Sequence, residues 1–518
     1  MRSKAQQAAE NQGRKLALLL AAAAVLRAGT ALFALALAQP APQFREPDSD
    51  GYLRLAANWW QTGRYAMGAE PEILRSPGYP LLLLPEVALG RADWLTIALQ
   101  IALSCVTVWL VYRTGLALFN HAATALGAAA LFACDPLSVL YASKLLSETA
   151  FTTAISAAVY LLIRYLLSPH WRHLLAAAVC VAAAAYLRPI AYYLPIWIGV
   201  SLVCIQWRRS DRWRLLLYCP RAGTRQSVAA EDGPPGPSPT GVTAWEGHPT
   251  RARENASFLL VCGVEALAFT VLGMSLLAAW QFRNWKETGY TGFSAISDKN
   301  LYYYEALPVL AERRGVPPAR RQQARYEAGE TDLAIYLRRH PEQANWTAPA
   351  RYRFLRHEAL RIIRAQPLAW AKIHFTGVWH TLTDSGRNAW LSFFGLADMR
   401  ATDMPRPPRT FWQRLCEAAT ERPAVLAIHA LLAAFVAVYL VLALFGIIRA
   451  ARLPCALLVL SVALYLVLLS GGDAGYHRFR LPVTPAICLF AAHGFASFSA
   501  RLAAVRWLPR PLRRIMVS

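Results

Sequence analysis

Apolar runs about 20 residues long recur along this chain, and they constrain its fold more than any other feature. A helix that crosses the hydrocarbon core of a bilayer needs roughly 20 consecutive apolar residues. Leu, Ala and Val fill these runs without the two-residue alternation of barrel strands. Only 16% of the 518 residues are charged, whereas soluble domains average about 25%. The sequence therefore predicts an all-α, polytopic membrane protein.

The length of the runs predicts about ten transmembrane helices. The run at 78–90 is shorter and begins Gly-Tyr-Pro, so we interpret it as a half-buried or surface helix. The first run is longer than the roughly 7–15 apolar residues of a signal peptide, so we expect an uncleaved span. The predicted spans are 16–38, 94–117, 121–141, 149–168, 172–187, 190–207, 257–281, 424–448, 453–470 and 481–500.

Basic residues at the ends of the runs predict the orientation. With the N-terminus inside, Arg113, Arg164, Arg449 and the basic C-terminal tail all fall on the cytoplasmic side, as the positive-inside rule expects. Much of the net charge of +23 is explained in this way, so we expect the lipid bilayer as a partner and no nucleic acid. We expect a multi-pass protein of the cytoplasmic (inner) membrane.

Two long polar segments interrupt the spans and divide the chain. Residues 208–256 are rich in Arg, Pro and Gly, which favours a flexible cytoplasmic loop. Residues 283–423 carry helical patterns and are too long for a passive connector. We therefore expect a transmembrane module at 1–282 with a first extracytoplasmic loop at 39–93. A helical extracytoplasmic segment then covers the site, and 424–518 form C-terminal transmembrane helices and a basic tail.

Acidic residues stand at the outer ends of two predicted spans. Asp48 and Asp50, in "PDSDGYLRLA", follow the first run, and Glu148, in "LLSETAF", begins a later one. Acids are also favoured at the start of any helix, so capping alone explains them. A carboxylate at the edge of a membrane bundle is costly, however, and serves well as a general base or metal ligand. Both interpretations stay open.

Arginines on the outer side break the inside bias of the other short loops. Arg75 stands in "RSPGYP", Arg188 in "YLRPI", and Arg478 and Arg480 in "YHRFRLP". Each one alone fits an arginine that extends its charge to the membrane interface. As a set they favour binding of an anionic lipid head group, because a guanidinium pairs well with phosphate.

These motifs, in their order and spacing, resemble those of a known superfamily. The stretches are "PDSDGYLRLAANWWQTGRY", "RSPGYPLLLLPEVALG", "LLSETAF", "YLRPI", "RNWKETGYTGFSAISDKNLYYYEA" and "YHRFRLPVTPAICLFAAHG". Together they resemble the GT-C superfamily of membrane glycosyltransferases. The most similar branch holds bacterial enzymes related to protein O-mannosyltransferases and to the lipid A aminoarabinose transferase. The resemblance extends over nearly the whole chain.

The resemblance implies an activity. It implies an inverting transfer of a hexose or pentose from a polyprenyl-phosphate-linked donor to an acceptor outside the cytoplasmic membrane. The acceptor is a protein, a lipid or a glycan, and the active site faces the periplasm. The large segment 283–423 is expected to close over the site and exclude water.

The resemblance also implies roles for single residues. Asp48 is the expected catalytic base because Tyr52 follows four residues later, and Asp50 is the runner-up. Ser49 interrupts the acidic pair that many members carry, so a divalent metal stays an open option. The other roles are a second acid (Glu148), donor phosphate contacts (Arg75, Arg188, Arg478, Arg480) and substrate contacts (Tyr52, Tyr79).

Two other functions share parts of this pattern. A flippase or transporter for a lipid-linked sugar would need charged groups deep within spans or broken helices, and the sequence has little of either. A glycan ligase or polymerase would anchor the donor in the same way but transfer a whole chain.

Overall fold

A computed structural model describes residues 4–37, 44–68, 70–90, 93–209, 249–395, 420 and 423–504. Most of these residues are helical, which confirms the predicted all-α membrane fold. The helices up to residue 288 are α1 (Lys4–Leu37), α2 (Pro47–Thr62), α3 (Gly78–Leu89), α4 (Trp94–Phe119), α5 (Ala122–Ala133), α6 (Pro136–Tyr141), α7 (Glu148–Leu167), α8 (Trp171–Leu187), α9 (Leu194–Arg209) and α10 (Pro249–Thr288).

The second half of the chain contains shorter helices followed by three long ones. These are α11 (Ile296–Asn300), α12 (Leu307–Arg313), α13 (Pro318–Glu327), α14 (Leu333–Arg339), α15 (Ala348–Ala365), α16 (Pro367–Thr383), α17 (Arg387–Phe393), α18 (Pro423–Ala450), α19 (Pro454–Leu468) and α20 (Thr484–Ala504). Short 3₁₀-helices occupy Pro189–Ala191, Pro341–Gln343 and His477–Val483, and Leu301–Ala306 is π-helical. Two strands, β1 (Ala66–Met67) and β2 (Glu70–Pro71), form an antiparallel pair in which Ala66 faces Pro71.

Seven helices in the described ranges are long and apolar enough to cross a membrane. Three of the predicted spans form helices that are shorter than these seven. The run at 121–141 is split, because Asp135 accepts a hydrogen bond from the Ser138 N–H and starts α6 anew at Pro136. Those at 172–187 and 453–470 form helices of 17 and 15 residues. Residues 78–89 form the short helix expected there.

Small residues let the last long helices approach closely. A Cβ atom on Gly446 of α18 would lie 1.9 Å from the Phe490 carbonyl oxygen, and one on Gly494 of α20 would lie 2.1 Å from that of Leu442. Gly and Ala at such contacts are typical of membrane helix packing, where close backbone approach drives association. The contact fixes α20 and the 3₁₀-helix that leads into it.

Arg27 lies fully buried inside the bundle, on α1. Its guanidinium donates to Ser104 Oγ (2.7 Å), Ser138 Oγ (2.9 Å) and the Ala133 carbonyl (3.0 Å), which come from α4, α6 and α5. A fourth bond reaches the Ala23 carbonyl one turn away. These bonds join four helices through Arg27. Its buried charge therefore has a structural explanation and does not indicate a transport path through the bundle.

Residues 289–395 form small helices with local apolar cores, such as the cluster of Tyr303, Ala328, Tyr336 and Leu355. Ion pairs tie this segment to the turn before α20. Arg325 contacts Asp473, and Arg321 Nη1 lies 3.5 Å from Asp473 Oδ1.

The three-part division of the chain stays a prediction. Of the predicted cytoplasmic loop 208–256, residues 210–248 lie outside the described residues, whereas 249–256 are the first turns of α10. The stretch 396–419 and the tail from residue 505 also lie outside them.

Candidate active site

The N-terminus of α2 places Asp48, and several bonds hold it to the loop before α7. Ser49 is fully buried, accepts the Glu46 N–H at 2.9 Å and donates to the Leu145 carbonyl at 2.9 Å. Lys144, only 2% exposed, pairs with the Glu46 carboxylate at 2.5 Å. These contacts bring Asp48 beside Glu148, the first residue of α7, although 100 positions separate them in the sequence.

Arg75 reaches Asp48 from the turn before α3. Its backbone is held on both sides: the N–H donates to Glu72 Oε1 (3.0 Å), and the carbonyl accepts from the Tyr65 hydroxyl (3.0 Å). The guanidinium donates to Asp48 Oδ1 at 3.2 Å and lies over the Tyr52 ring, 5.3 Å from its centroid. Tyr52, the predicted substrate contact, therefore lies beneath the Arg75 guanidinium.

Two more arginines complete the group. Arg188, at the C-terminal end of α8, donates to Glu148 Oε1, and Arg478 donates to that same oxygen through Nε. Arg478 also donates through Nη1 to Asp48 Oδ2 at 2.9 Å, so it joins the two acids. We call Asp48, Arg75, Glu148, Arg188 and Arg478 the charged cluster.

The two carboxylates of the charged cluster differ in exposure. The Glu148 side chain is fully enclosed, whereas 42% of the Asp48 side chain is exposed. Burial acts to raise the pKa of Asp48, but the charges and hydrogen bonds of Arg478 and Arg75 outweigh it and hold that pKa below its usual value. Asp48 is therefore a charged, accessible acceptor at neutral pH, and Glu148 is an internal counter-ion.

The charged cluster carries a surplus of positive charge, with three guanidiniums against two carboxylates. A guanidinium also presents a planar fork of donors that matches phosphate. The arrangement can therefore accept one further anion without burying an unpaired negative charge.

Three of the predicted site residues lie elsewhere. Asp50 is 59% exposed and lies 3.9 Å from Arg45, away from the arginines of the charged cluster. Arg480 is 1% exposed and donates to the carbonyls of Leu382 and Asp384, both at 2.7 Å. Tyr79 is fully buried; it bonds Gln100 at 3.1 Å and packs edge-on against Tyr52. It therefore supports Tyr52 instead of facing a ligand.

Lys299, for which the sequence pattern predicts no role, lies near the charged cluster. Burial lowers its pKa, with Glu330, Arg75 and Asp48 among its electrostatic neighbours. It stands in the quoted stretch "SDKNLYYYEA", just before the π-helical turn Leu301–Ala306. Such turns are rare and frequently occur at functional sites, and that signal was available only in the structure.

A divalent metal fits poorly at this site. Within the described ranges, no group of three or more His, Cys, Asp or Glu side chains is arranged to hold a metal ion. Both acids of the charged cluster already face guanidiniums. His477, which directly precedes Arg478 and could otherwise serve as a metal ligand, forms a hydrogen bond with Asp384 through Nδ1 at 2.8 Å.

Comparisons with known proteins agree with the sequence resemblance. A family model described as dolichyl-phosphate-mannose-protein mannosyltransferase matches residues 76–218. This match confirms the resemblance to membrane glycosyltransferases of the GT-C superfamily. The matched range begins directly after Arg75 and includes Glu148 and Arg188. Asp48 and Arg478 lie outside it. No curated protein sequence matches the chain.

Solved structures also match this chain over most of its length, with low identity and low TM-scores. The apo oligosaccharyltransferase of Archaeoglobus fulgidus is 12% identical, with a TM-score of 0.47 over 98% of this chain and 54% of that one. ArnT from Cupriavidus metallidurans bound to undecaprenyl phosphate is 12% identical, with a TM-score of 0.33 over 95% and 81%. This chain thus spans about half the length of the archaeal enzyme.

Proposed function

We propose that this chain is an inverting glycosyltransferase that moves one sugar from a polyprenyl-phosphate-linked donor to an acceptor on the extracytoplasmic face of the inner membrane. The observation that carries the proposal is the charged cluster, in which three arginines converge on an accessible and an enclosed carboxylate at one end of a membrane bundle. The family-model match supports the transferase class.

In the proposed reaction, the acceptor hydroxyl or amine attacks the anomeric carbon of the donor. The new bond forms as the bond from that carbon to the phosphate oxygen breaks, and Asp48 takes the acceptor's proton. The polyprenyl phosphate leaves with one more negative charge than the donor carried. Arg75, Arg188 and Arg478 stabilise that charge, which is often the largest single contribution to catalysis.

Glu148 holds the arginines in place in this mechanism. We assign it a positioning role rather than direct chemistry, because its side chain is fully enclosed and one oxygen receives both Arg188 and Arg478. Asp48 gives up its arginine contacts when the donor phosphate binds them. Its pKa then rises toward the usual value, so donor binding itself makes Asp48 a stronger base.

The orientation follows from the positive-inside pattern of the sequence. The charged cluster lies at the opposite end of α7 from Arg164 and of α20 from Arg501. We therefore place the charged cluster on the extracytoplasmic side, where the donor presents its sugar.

Transfer of a labelled sugar from polyprenyl phosphate tests the proposal. Membranes containing the wild-type protein should move label from the lipid into a product, and Asp48→Asn should abolish this while the protein still inserts and folds. Asp50→Asn is the matched control, since Asp50 lies two residues away and outside the charged cluster. It should keep near-normal turnover.

Two other outcomes would replace the proposal. Label that crosses the bilayer unchanged, with both the wild-type protein and Asp48→Asn, would indicate a lipid-linked sugar flippase. Transfer of a whole glycan chain rather than one sugar would indicate a ligase or polymerase. Normal turnover by Asp48→Asn would remove Asp48 from the chemistry.

A further inference from the structure

A cavity of about 250 Å³ lies behind the Arg75 turn. It is somewhat smaller than typical small-molecule pockets of roughly 300–1,000 Å³, which suits one sugar ring rather than a chain. The end of α2, the β1–β2 hairpin and the end of α10 enclose it. Its lining consists of Trp59, Gly63, Arg64, Tyr65, Ala66, Pro71, Arg283 and Glu287. We call this the hairpin pocket.

Aromatic and charged groups alternate around the hairpin pocket. The Trp59 and Tyr65 rings meet edge-on, with centroids 5.2 Å apart. Arg283 donates to the carbonyls of Tyr65 and Glu72, both at 2.6 Å, and lies over the Trp280 ring. These contacts fix the walls in place. The accessible lining is mostly polar, with the partly buried Trp59 ring at its side, which suits the hydroxyl groups of a sugar.

The charge of the hairpin pocket favours an anionic ligand. Arg283 bonds neutral oxygens only, and Arg64 has no carboxylate within ion-pair distance in the described part of the chain. Glu287 is the one acidic residue among the lining residues, so two guanidiniums face one carboxylate. A phosphate or carboxylate group on the sugar would supply the missing negative charge.

The hairpin pocket lies beside a membrane-spanning helix. Trp280, Arg283 and Glu287 lie three and four positions apart on α10 and therefore share one face. Phe282 and Trp285 belong to another face and are 60% and 55% exposed. The apolar stretch Leu260–Thr288 ends here, and exposed aromatic residues at such an end mark the membrane–water boundary.

The hairpin pocket is connected to the charged cluster but does not overlap it. The Tyr65 hydroxyl donates to the Arg75 carbonyl, while the Arg75 guanidinium faces Asp48 on the other side. Asp48 and Trp59 are eleven positions apart on α2, or about 16 Å at 1.5 Å per residue. A group bound in the hairpin pocket is therefore too distant to be the one that reacts.

The geometry points to a remote subsite: the hairpin pocket binds a negatively charged sugar unit of an extended acceptor glycan. This inference rests on the proposed transferase function. Binding energy gained away from the reacting atoms is well suited to orienting an acceptor at Asp48.

Direct binding tests the inference without requiring transfer. Purified full-length protein in detergent, with Asp48→Asn to prevent turnover, is titrated with a trisaccharide carrying one uronic acid, with its sugar-phosphate analogue and with the neutral parent. At least one acidic trisaccharide should bind, and Arg64→Glu should weaken it at least tenfold. Glu287→Gln should strengthen it by a few-fold, a gain that misfolding does not produce. Arg54→Glu, an exposed change on α2, should leave it unchanged.

Several outcomes would overturn the inference. These are no binding of either acidic trisaccharide, equal binding of the neutral parent, no effect of Arg64→Glu, or displacement by inorganic phosphate at the same concentration, which would indicate a simple anion site. The transferase proposal is judged separately. If transfer is observed and Arg64→Glu leaves the acceptor KM unchanged, the inference fails alone. If charge-dependent binding is observed but no transfer, the proposed function fails alone.

Discussion

Arginines with little exposed surface lie both inside the bundle, at Arg27, and at its end, in the charged cluster, and the two regions differ in the partners of these arginines. Arg27 is surrounded by hydroxyl and carbonyl oxygens from four helices, and these neutral acceptors match its donors. Arg478, 12% exposed, instead joins two carboxylates that also pair with Arg75 and Arg188. Arg27 is fully enclosed and bonded to neutral oxygens, whereas the charged cluster is open to solvent at Asp48 and has one more guanidinium than carboxylates.

The contrast between Arg27 and the charged cluster gives a way to distinguish structural from functional arginines in a membrane protein. An arginine that is fully enclosed and bonded to neutral oxygens, as Arg27 is, contributes to folding, and its loss should be seen mainly in stability. An arginine in a surplus of like charges costs stability unless an anion arrives, so its loss should be seen mainly in binding and turnover. Variants in the two regions should therefore fail in different assays.

Among the arginine variants, the largest effect is expected for Arg478→Ala. The change removes a group that faces both acids, and loss of one well-placed electrostatic stabiliser typically costs about 10²–10³-fold in rate. Turnover at saturating donor, normalised to folded protein, measures it. Arg501→Ala, at the opposite end of α20, is the matched control. Equal losses in both variants would contradict a specific role for Arg478.

A smaller effect on donor use is expected for Arg75→Ala. A hydrogen bond from a charged group is worth roughly 1.5–3 kcal/mol, so the donor KM should rise about 10–100-fold. Gly51→Ala offers a subtler version, because its Cβ would lie 2.7 Å from the Arg75 Cζ and push the guanidinium aside. Unchanged donor KM values in both variants would argue against phosphate binding by Arg75.

Arg27→Met should lower stability without affecting turnover, the opposite of what we expect for the arginines of the charged cluster. The change leaves buried acceptors such as the Ala133 carbonyl without their donor, at a cost of about 1–3 kcal/mol for each such group. We expect a lower thermal unfolding temperature in detergent and normal turnover per folded molecule. The reverse result, unchanged unfolding with lost transfer, would move Arg27 into the functional group.

The smallest effect concerns His374 on α16, where a charged side chain serves structure alone. Its Nδ1 lies 3.0 Å from Glu305 Oε1, and its Nε2 lies 2.8 Å from the Leu468 carbonyl oxygen. Two acceptors require two ring protons, and the bond to Glu305 raises the pKa of His374. The contribution is therefore complete below the unfolded pKa of about 6.5 and is lost as the pH rises through the raised value.

Unfolding temperatures measured across this pH range test the role of His374. Loss of one hydrogen bond should cost about 1 kcal/mol, and His374→Gln should remove that part of the pH dependence. His380→Gln, an exposed change on the same helix, should retain it. A wild-type protein whose stability does not fall as the pH rises would contradict the assignment.

The fold was largely predictable because the bilayer demands long apolar helices. Each predicted span coincides with helical residues, and the errors concern where the helices begin, end or break. The break at Asp135 is an example, since a single capping bond divides a continuous apolar run there. The partners of Arg27 were not predictable, because Ser104 and Ser138 come from other helices and become neighbours only through packing.

The candidate site was predictable where residues mark the ends of spans. Asp48, Arg75, Glu148, Arg188 and Arg478 belong to such ends, and the structure brings them together. Arg480 illustrates the limit of this reasoning. It stands two positions after Arg478 in a 3₁₀-helix of about three residues per turn, so the two side chains point to different sides. The sequence pattern does not reveal that type of helix.

Gly78 brings Arg75 and Arg188 of the charged cluster together. A Cβ there would lie 2.6 Å from the Tyr186 carbonyl carbon, so the start of α3 rests directly on the backbone at the end of α8. Arg75 stands three positions before this contact, and Arg188 two positions after it. The contact therefore helps to set the spacing between these two arginines. A larger residue at position 78 would force the start of α3 away from the end of α8, and Arg75 would move relative to Arg188.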